Sequence, residues 1–419
     1  MKRIMFFALI LSFLMMGKSV SVHAEDGSGT EIVIGADLHY LSPLLTDCGE
    51  MFQKVLANGD GKLTWYSEEL TSAFLDDVIS RHPAALVLPG DLTFNGAQQS
   101  HLDLAEKLLN VQAEGIPVYV IPGNHDVYNR NAAKFSDNTF ERLPITTSEV
   151  FRSIYSAFGY EQAIAEDEDS LSYIVPLNDS TVFFMLDFNT AHDACGISAK
   201  SLRWMDQQLQ SLQSEGKRVI AVGHQNLFRH SMFDSGYVIR KTTEVRRIFE
   251  AYGIDLYLSA HMHIQHIREQ KGITEIVTTA LCLYPCRYGI LTLSDEKDVY
   301  GTKEVDVSSW ARRTGDNREE LLSFAAYAQS MFDNRSRLQA AAALSESKLS
   351  EEGKLSLINY AAAVQRGVFS GDLRPIADLD PDNDLARAWY DIGNMHSTYL
   401  STAAADRGCD FNFWERPVE

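Results

Sequence analysis

The sequence predicts a layered α/β protein with a helical C-terminal part, and three observations carry that expectation. Short apolar runs recur along the chain, and each ends in a polar loop. Amphipathic helical patterns separate them. Beyond about Trp310 the strand rhythm stops and Ala-rich helical spacing takes over.

Residues 31–36 (EIVIGA) deliver Asp37, and residues 85–89 (ALVLP) lead into Gly90-Asp91. Residues 118–122 (VYVIP) open onto Gly123-Asn124-His125-Asp126. Residues 218–222 (RVIAV) precede Gly223-His224, and residues 254–259 (IDLYLS) precede Ala260-His261-Met262-His263. Helical patterns over residues 68–81 and 100–113 lie between these strands. In α/β folds ligands gather beyond the carboxyl ends of strands, and every polar cluster named here sits at such an end. Residues 129–169 show no strand rhythm and read as a helical insertion near the site mouth. Residues 321–331, 338–344 and 355–368 read as helices that pack against the rest. The expected organisation is a leader over 1–24, a catalytic unit over 30–305 and a helical unit over 306–419.

The leader has a basic start at Lys2 and Arg3, an apolar run over 4–16 and a small-residue site at Val22-His23-Ala24. That pattern predicts export and cleavage. No later run is long enough to span a bilayer, so no integral membrane domain is expected. The formal net charge is −20 over 419 residues, and cleavage would remove Lys2, Arg3 and Lys18 but no acid. A surface this acidic repels polyanions and argues against long nucleic acid as a partner. A small phosphate ester reaching a cationic metal centre stays open. Of five cysteines, Cys282 and Cys286 form the one close pair, either bridged or simply buried.

The polar clusters offer Asp37, His39, Asp91, Asn124, His224, His261 and His263. Two metals a short distance apart need hard anionic oxygens, one of them bridging, and neutral imidazoles to limit the negative charge. Alternation along an extended segment would put Asp37 beside His39 and His261 beside His263. Asn124 adds a neutral carbonyl oxygen. Each piece alone is weak. All of them in order behind apolar strands are specific.

This series resembles the calcineurin-like metallophosphoesterases over residues 31–293. The resemblance implies a two-sheet sandwich flanked by helices, with Asp91 bridging two metals. It implies that Asp37, His39 and His263 complete one centre and Asn124, His224 and His261 the other. Residues 90–96 (GDLTFNG), with Tyr284-Pro285 and Tyr288-Gly289, look more like exported bacterial phosphodiesterases of the family, some of which carry a helical tail and act on cyclic nucleotides. Two departures stand out. Ala260 replaces the usual Gly before the last His pair, and Phe94-Asn95 replace the Asp and Arg of the protein-phosphatase branch.

The expected activity is hydrolysis of a phosphodiester by two transition-metal ions, Mn, Fe or Zn rather than oxygen-preferring Mg. His125, next to Asn124 but not needed as a ligand, is placed to protonate the leaving oxygen. Asn95 and His230 are further candidates for substrate contact. Asp187 and Asn189, after the strand over 182–186, could support the site from behind, and Asp126 could orient a neighbour or close its turn. Phe94, Tyr284 and Tyr288 could stack a base or simply fill a core. His82, His101, His192, His266 and His396 carry no pattern and are expected in solvent. A phosphomonoesterase using Arg287 as its cationic grip, and a metal-binding scaffold without catalysis, are the rival readings.

Overall fold

The computed structural model describes residues 29–418 apart from 58, 60, 192, 193, 234, 377–379 and 381, so the leader and His192 lie outside the described residues. β1 (Thr30–Ile34) is rich in β-branched residues and buried from Ile32 onward. It leads through α1 (Glu50–Ala57) and α2 (Ser67–Arg81) to the fully buried β2 (Ala85–Pro89), and α3 (Gln98–Ala113) returns the chain to β3 (Val118–Ile121). These three strands are parallel neighbours, a pairing that requires crossovers of this length.

Residues 129–169 do not form the helical insertion expected from the sequence. They hold a hairpin, the half-buried β4 (Ala133–Ser136) and the exposed β5 (Thr139–Arg142), before the short α4 (Ser148–Ile154) and β6 (Ala165–Glu166). Four-residue strands are too short to announce a period, and the turn rests on Asp137 in left-handed backbone.

The chain continues through β7 (Tyr173–Pro176), β8 (Thr181–Leu186), α5 (Ala199–Ser214), β9 (Arg218–Gly223), α6 (Thr242–Tyr252) and β10 (Leu256–Ser259). Four strands follow: β11 (His266–Gln270), β12 (Ile273–Val277), β13 (Arg287–Leu293) and β14 (Lys297–Glu304). The tail holds α7 (Val307–Thr314), α8 (Glu319–Leu322), α9 (Phe324–Ala343), α10 (Glu351–Ser370), α11 (Asp384–Ile392), α12 (Met395–Ala403) and, last, β15 (Phe413–Pro417). The stretches 321–331 and 338–344, read as separate from the sequence, meet largely in the single long α9.

The strands form a six-stranded sheet, ordered β15-β14-β13-β1-β2-β3, and a seven-stranded sheet, ordered β11-β12-β10-β9-β8-β7-β6. Alternation along the second sheet shows how it is covered. Phe183, Met185, Ile220, Val222 and Leu258 join the core shared with the first sheet. Their neighbours Phe184, Leu186, Ala221 and Tyr257 face Met205 of α5 and Phe249 of α6 in a separate core. The first sheet is covered on its other side by α2 and α3 through residues such as Phe74 and Leu108. The result is a two-sheet sandwich with outer helices, as the resemblance implied.

The tail departs from an all-helical reading. β15 pairs antiparallel with β14, Trp414 opposite Tyr300, and Arg416 reaches Asp298 and Asp255, both at 3.0 Å. Its sequence, FWERP, is too polar and short to read as a strand; cross-strand partners hold it there. The tail also has its own core around Trp389, Leu357, Val364 and Leu400. No helix among the described residues is long and apolar enough to cross a membrane.

Candidate metal centre

Each candidate ligand follows the carboxyl end of a strand: Asp37 and His39 follow β1, Asp91 β2, Asn124 β3, His224 β9, and His261 and His263 β10. The loops converge into two groups. In one, ligand atoms of Asp37, His39, Asp91 and His263 all lie within 4.8 Å of one another; in the other, those of Asp91, His224 and His261 do. Asp91 is common to both. His39 Nε2 is 3.6 Å and His224 Nε2 3.4 Å from Asp91 Oδ2. His263 Nε2 lies 3.7 Å from Asp37 Oδ1, and Asn124 Oδ1 lies 3.1 Å from His224 Nε2.

The backbone does this differently from the expected alternation of an extended segment. Asp37 (φ 50°), His39 (φ 43°), Asp91 (φ 46°), His261 (φ 71°) and His263 (φ 58°) are all left-handed. Asp and His are among the few non-Gly types that enter this region at modest cost. The turns swing successive side chains toward one point.

Two glycines make the approach possible. A Cβ on Gly123 would lie on top of Asp91's amide nitrogen and Oδ1. Gly90 sits at φ +87°, where a Cβ would meet His224 Nδ1 at 2.7 Å and Gly123 N at 2.8 Å. Asp126, buried beneath, accepts from the backbone N–H groups of Leu92, Thr93 and Gly123 and so staples the loop after β2 to the loop after β3. The hydrogen bonds also set imidazole tautomers. His224 Nδ1–H donates to the Pro89 carbonyl at 2.9 Å and His261 Nε2–H to Gly236 at 2.8 Å. His261 Nδ1 keeps its lone pair, and His224 Nε2 is the nitrogen turned toward Asp91.

Electrostatics identify what this donor set fits. Burial pushes Asp37 up, ahead of the nearby histidines that pull it down, and its Oδ1 is buried with no hydrogen-bond partner. Burial likewise drives His39 well below its ordinary value and His261 down to about 3. Burial opposes the ionised Asp91 as well, but His224, His125 and His39 together outweigh it and hold its carboxyl well below the usual range. Burial opposes a charged His224 too, but Asp91 beside it raises His224 to about 9. Two carboxylates, one with an unpaired buried oxygen, and imidazoles whose protons an ion would displace are the donors a divalent transition-metal ion takes.

Residues 31–265 match the calcineurin-like phosphoesterase family model. The chain belongs to this family. It is therefore a metal-dependent hydrolase of phosphate esters. Residues 306–410 match a second model, the C-terminal domain of cyclic nucleotide phosphodiesterase. Among solved structures, a dimetal phosphatase from Danio rerio is 14% identical with a TM-score of 0.49, covering 66% of this chain and 97% of its own. GAP50, the anchor in the inner membrane complex of Plasmodium, is 10% identical with a TM-score of 0.37, covering 67% and 85%. No curated protein matches the chain.

In this calcineurin-like phosphoesterase His125 borders the centre. Its Nδ1–H donates to the Phe94 carbonyl at 2.6 Å, its amide donates to Asp91 Oδ1 at 2.8 Å, and its Nε2 lies 4.0 Å from Asp91 Oδ2. Beside it opens a cavity of about 260 Å³ walled by Phe94, Phe135 and Phe140, with Asn129, Asn131 and Arg142. The hairpin residues among these were missed from the sequence, because two short strands with one exposed Phe carry no signal of a wall. Lys62 was missed too, and its charge helps depress His39. Ala260 is accommodated: it is fully buried, and its amide donates to the His224 carbonyl at 3.1 Å.

Other candidates lie elsewhere. Asn95 lines the same cavity, but its amide group is committed to Ala133 O and Ala97 N. His230 is brought not to the metal ligands but to a buried cluster, 2.9 Å from both His266 Nδ1 and Glu275 Oε2. His266 is thus not in solvent, and neither is His101, buried against Tyr155 and the Asp126 carbonyl. His82 is exposed and His396 half-buried. Asn189 supports the loop after β3 by donating to Pro122 O, with Asp187 behind it. Tyr284 packs on Phe332 and Tyr288 on Phe74, away from the ligands. Arg287 donates to Asn412 and Ser370 in the tail. Cys282 and Cys286 are buried and unbridged.

Proposed function

We propose that this phosphoesterase cleaves small phosphodiesters, cyclic nucleotides foremost, at two transition-metal ions that share Asp91. What carries the reading is the match of residues 306–410 to the C-terminal domain of cyclic nucleotide phosphodiesterase. Asp37, His39, Asp91 and His263 would hold one ion, and Asp91, Asn124, His224 and His261 the other; Mn, Fe or Zn suits these imidazoles. When bound, such ions acidify a water and neutralise charge developing on the phosphoryl group. His125, its ring fixed by Phe94 O, presents Nε2 to give a proton to the leaving oxygen. The cavity beside it offers aromatic walls to the leaving alcohol.

A diester carries one negative charge and a monoester two. Arg142 is the one cation among the described residues lining that cavity, and it stacks 4.8 Å over Phe140 while donating to Arg130 O. Arg287, the grip a monoesterase would use, is tied to the tail. The test is kcat/KM with Mn²⁺ on bis-p-nitrophenyl phosphate, p-nitrophenyl phosphate and 3′,5′-cyclic adenosine monophosphate. A monoester preference of about tenfold, roughly 1.4 kcal/mol, overturns the proposal. Residues 1–24 support action outside the cytoplasm; N-terminal sequencing that finds them retained on the native protein overturns that part.

A further inference from the structure

A second cavity, of about 530 Å³, lies where α9, α10 and α12 meet the loop after β9, and none of the candidate ligands lines it. Its size falls within the roughly 300–1,000 Å³ typical of small-molecule sites. Phe233, Phe332 and Phe369 give it aromatic walls, and Phe233 at 37% and Met395 at 70% relative exposure leave an apolar rim facing solvent. Its polar residues are unusual in a chain of net charge −20: no Asp or Glu lines it, and Arg335 does. Arg335 Nε, His396 Nε2 and Tyr399 Oη are buried without hydrogen-bond partners, and all three residues line this cavity. Those three atoms lie behind the cavity surface, and Arg335 Nη1 donates to Ala57 O at 2.9 Å, so it is the charge and the remaining guanidinium N–H groups of Arg335 that the cavity can use.

The wall is joined to the metal centre by two short routes. The Phe233 ring lies 6.0 Å from Tyr237, which lies 5.0 Å from His261, while Gly236 O accepts from that same imidazole. On the other side the Thr279 hydroxyl reaches both Phe369 O at 3.3 Å and His263 O at 3.2 Å.

We propose that this cavity is a second ligand site, taking a small planar aromatic anion, and that its occupancy is transmitted through Tyr237 and Thr279 to His261 and His263. Rings supply stacking surface, and Arg335 in the absence of acids selects negative charge. The inference is independent of the diester reading.

The probe is 8-anilinonaphthalene-1-sulfonate, titrated by fluorescence into the full-length, metal-loaded protein. Saturable binding at one site per chain is expected, weakened at least tenfold by Arg335→Gln and by Ala343→Trp, which fills the cavity. Saturating inorganic phosphate at the metal centre should leave that binding in place. The kcat/KM for bis-p-nitrophenyl phosphate should change at least threefold at saturating probe, and should not change in Ala343→Trp. Absent saturable binding, binding that both variants leave intact, or displacement by phosphate overturns the site. Binding with unchanged kinetics overturns the transmission. If the Trp variant melts early, Arg335→Gln decides.

Discussion

The metal-centre loops and the tail cavity both leave buried polar atoms unpaired, but they differ in how tightly the backbone is held around them. At the centre, five non-Gly residues accept left-handed backbone, and two glycines leave no room for a methyl, so that donor atoms from five loops reach two overlapping points. In the tail, helices with their own core leave about 530 Å³ open and three polar atoms unpaired around it. Where several atoms must meet one ion, the backbone is constrained from every side, at a cost on the order of 1–3 kcal/mol for each strained residue. Where a face only has to receive a molecule, slack is tolerated.

The hardest blow to that contrast is Asp91→Asn. Because both ligand groups share this carboxylate, elemental analysis should show both ions weakened, with diester turnover down on the order of 10⁴-fold. Two tightly held ions in this variant would dismantle the shared-centre assignment. Next comes His125→Ala. It should slow a cyclic nucleotide, whose alkoxide leaves poorly, by about 10² to 10⁴-fold, and a p-nitrophenyl ester far less, at unchanged metal content. Equal losses on both substrates would reduce His125 to a positioning role.

The seam between the two regions should respond to acid. Burial, ahead of the Asp406 contact that opposes it, lowers His266 to about 4, with His230 and Arg268 adding to the shift and Glu275 beyond His230. The unfolded chain takes that proton near 6.5, so between these values the unfolded state binds more protons and stability rises with pH. Acidification through this window should remove about 3 kcal/mol, read by denaturant titration, and His266→Gln should flatten the dependence. A wild-type curve as flat as the variant's would show that His266 titrates normally. The smallest test sets one substitution at the centre against the same substitution in β14, the strand on which the tail's β15 pairs. Gly123→Ala collides with Asp91 and should cost about 1–3 kcal/mol, with weaker metal binding. Gly301→Ala, whose new methyl would meet only Asn412 O at 3.9 Å, should add about 0.5–1 kcal/mol. Equal effects in thermal melts would erase the distinction.

What could be read from the sequence follows the same divide. Apolar runs ending in Asp37, Asp91, Asn124, His224 and His261 were legible because parallel strands buried on both faces must be continuous and apolar. The left-handed turns were not, since Asp and His announce no backbone angle. The β4–β5 hairpin escaped because four-residue strands have no period to detect. His101 and His266 read as solvent residues, and His230 as a substrate contact, because their partners, Tyr155, Asp406 and Glu275, are 54, 140 and 45 residues away. Arg287 was misjudged for the same reason: Asn412 lies 125 positions downstream. Short-range pattern carries the centre, and long-range pairing carries the rest.

That β15 covers the β14 edge, itself becoming the outermost strand, has a consequence for biosynthesis. About a hundred residues of helix and loop separate the two strands, so a ribosome finishes every tail helix before the edge of β14 finds its partner. Until then β14 offers unpaired amide and carbonyl groups, a template for another chain. A nascent or clipped molecule lacking residues 413–417 would keep that edge open, and self-association through it, rather than loss of the metal ligands, would be its first failure.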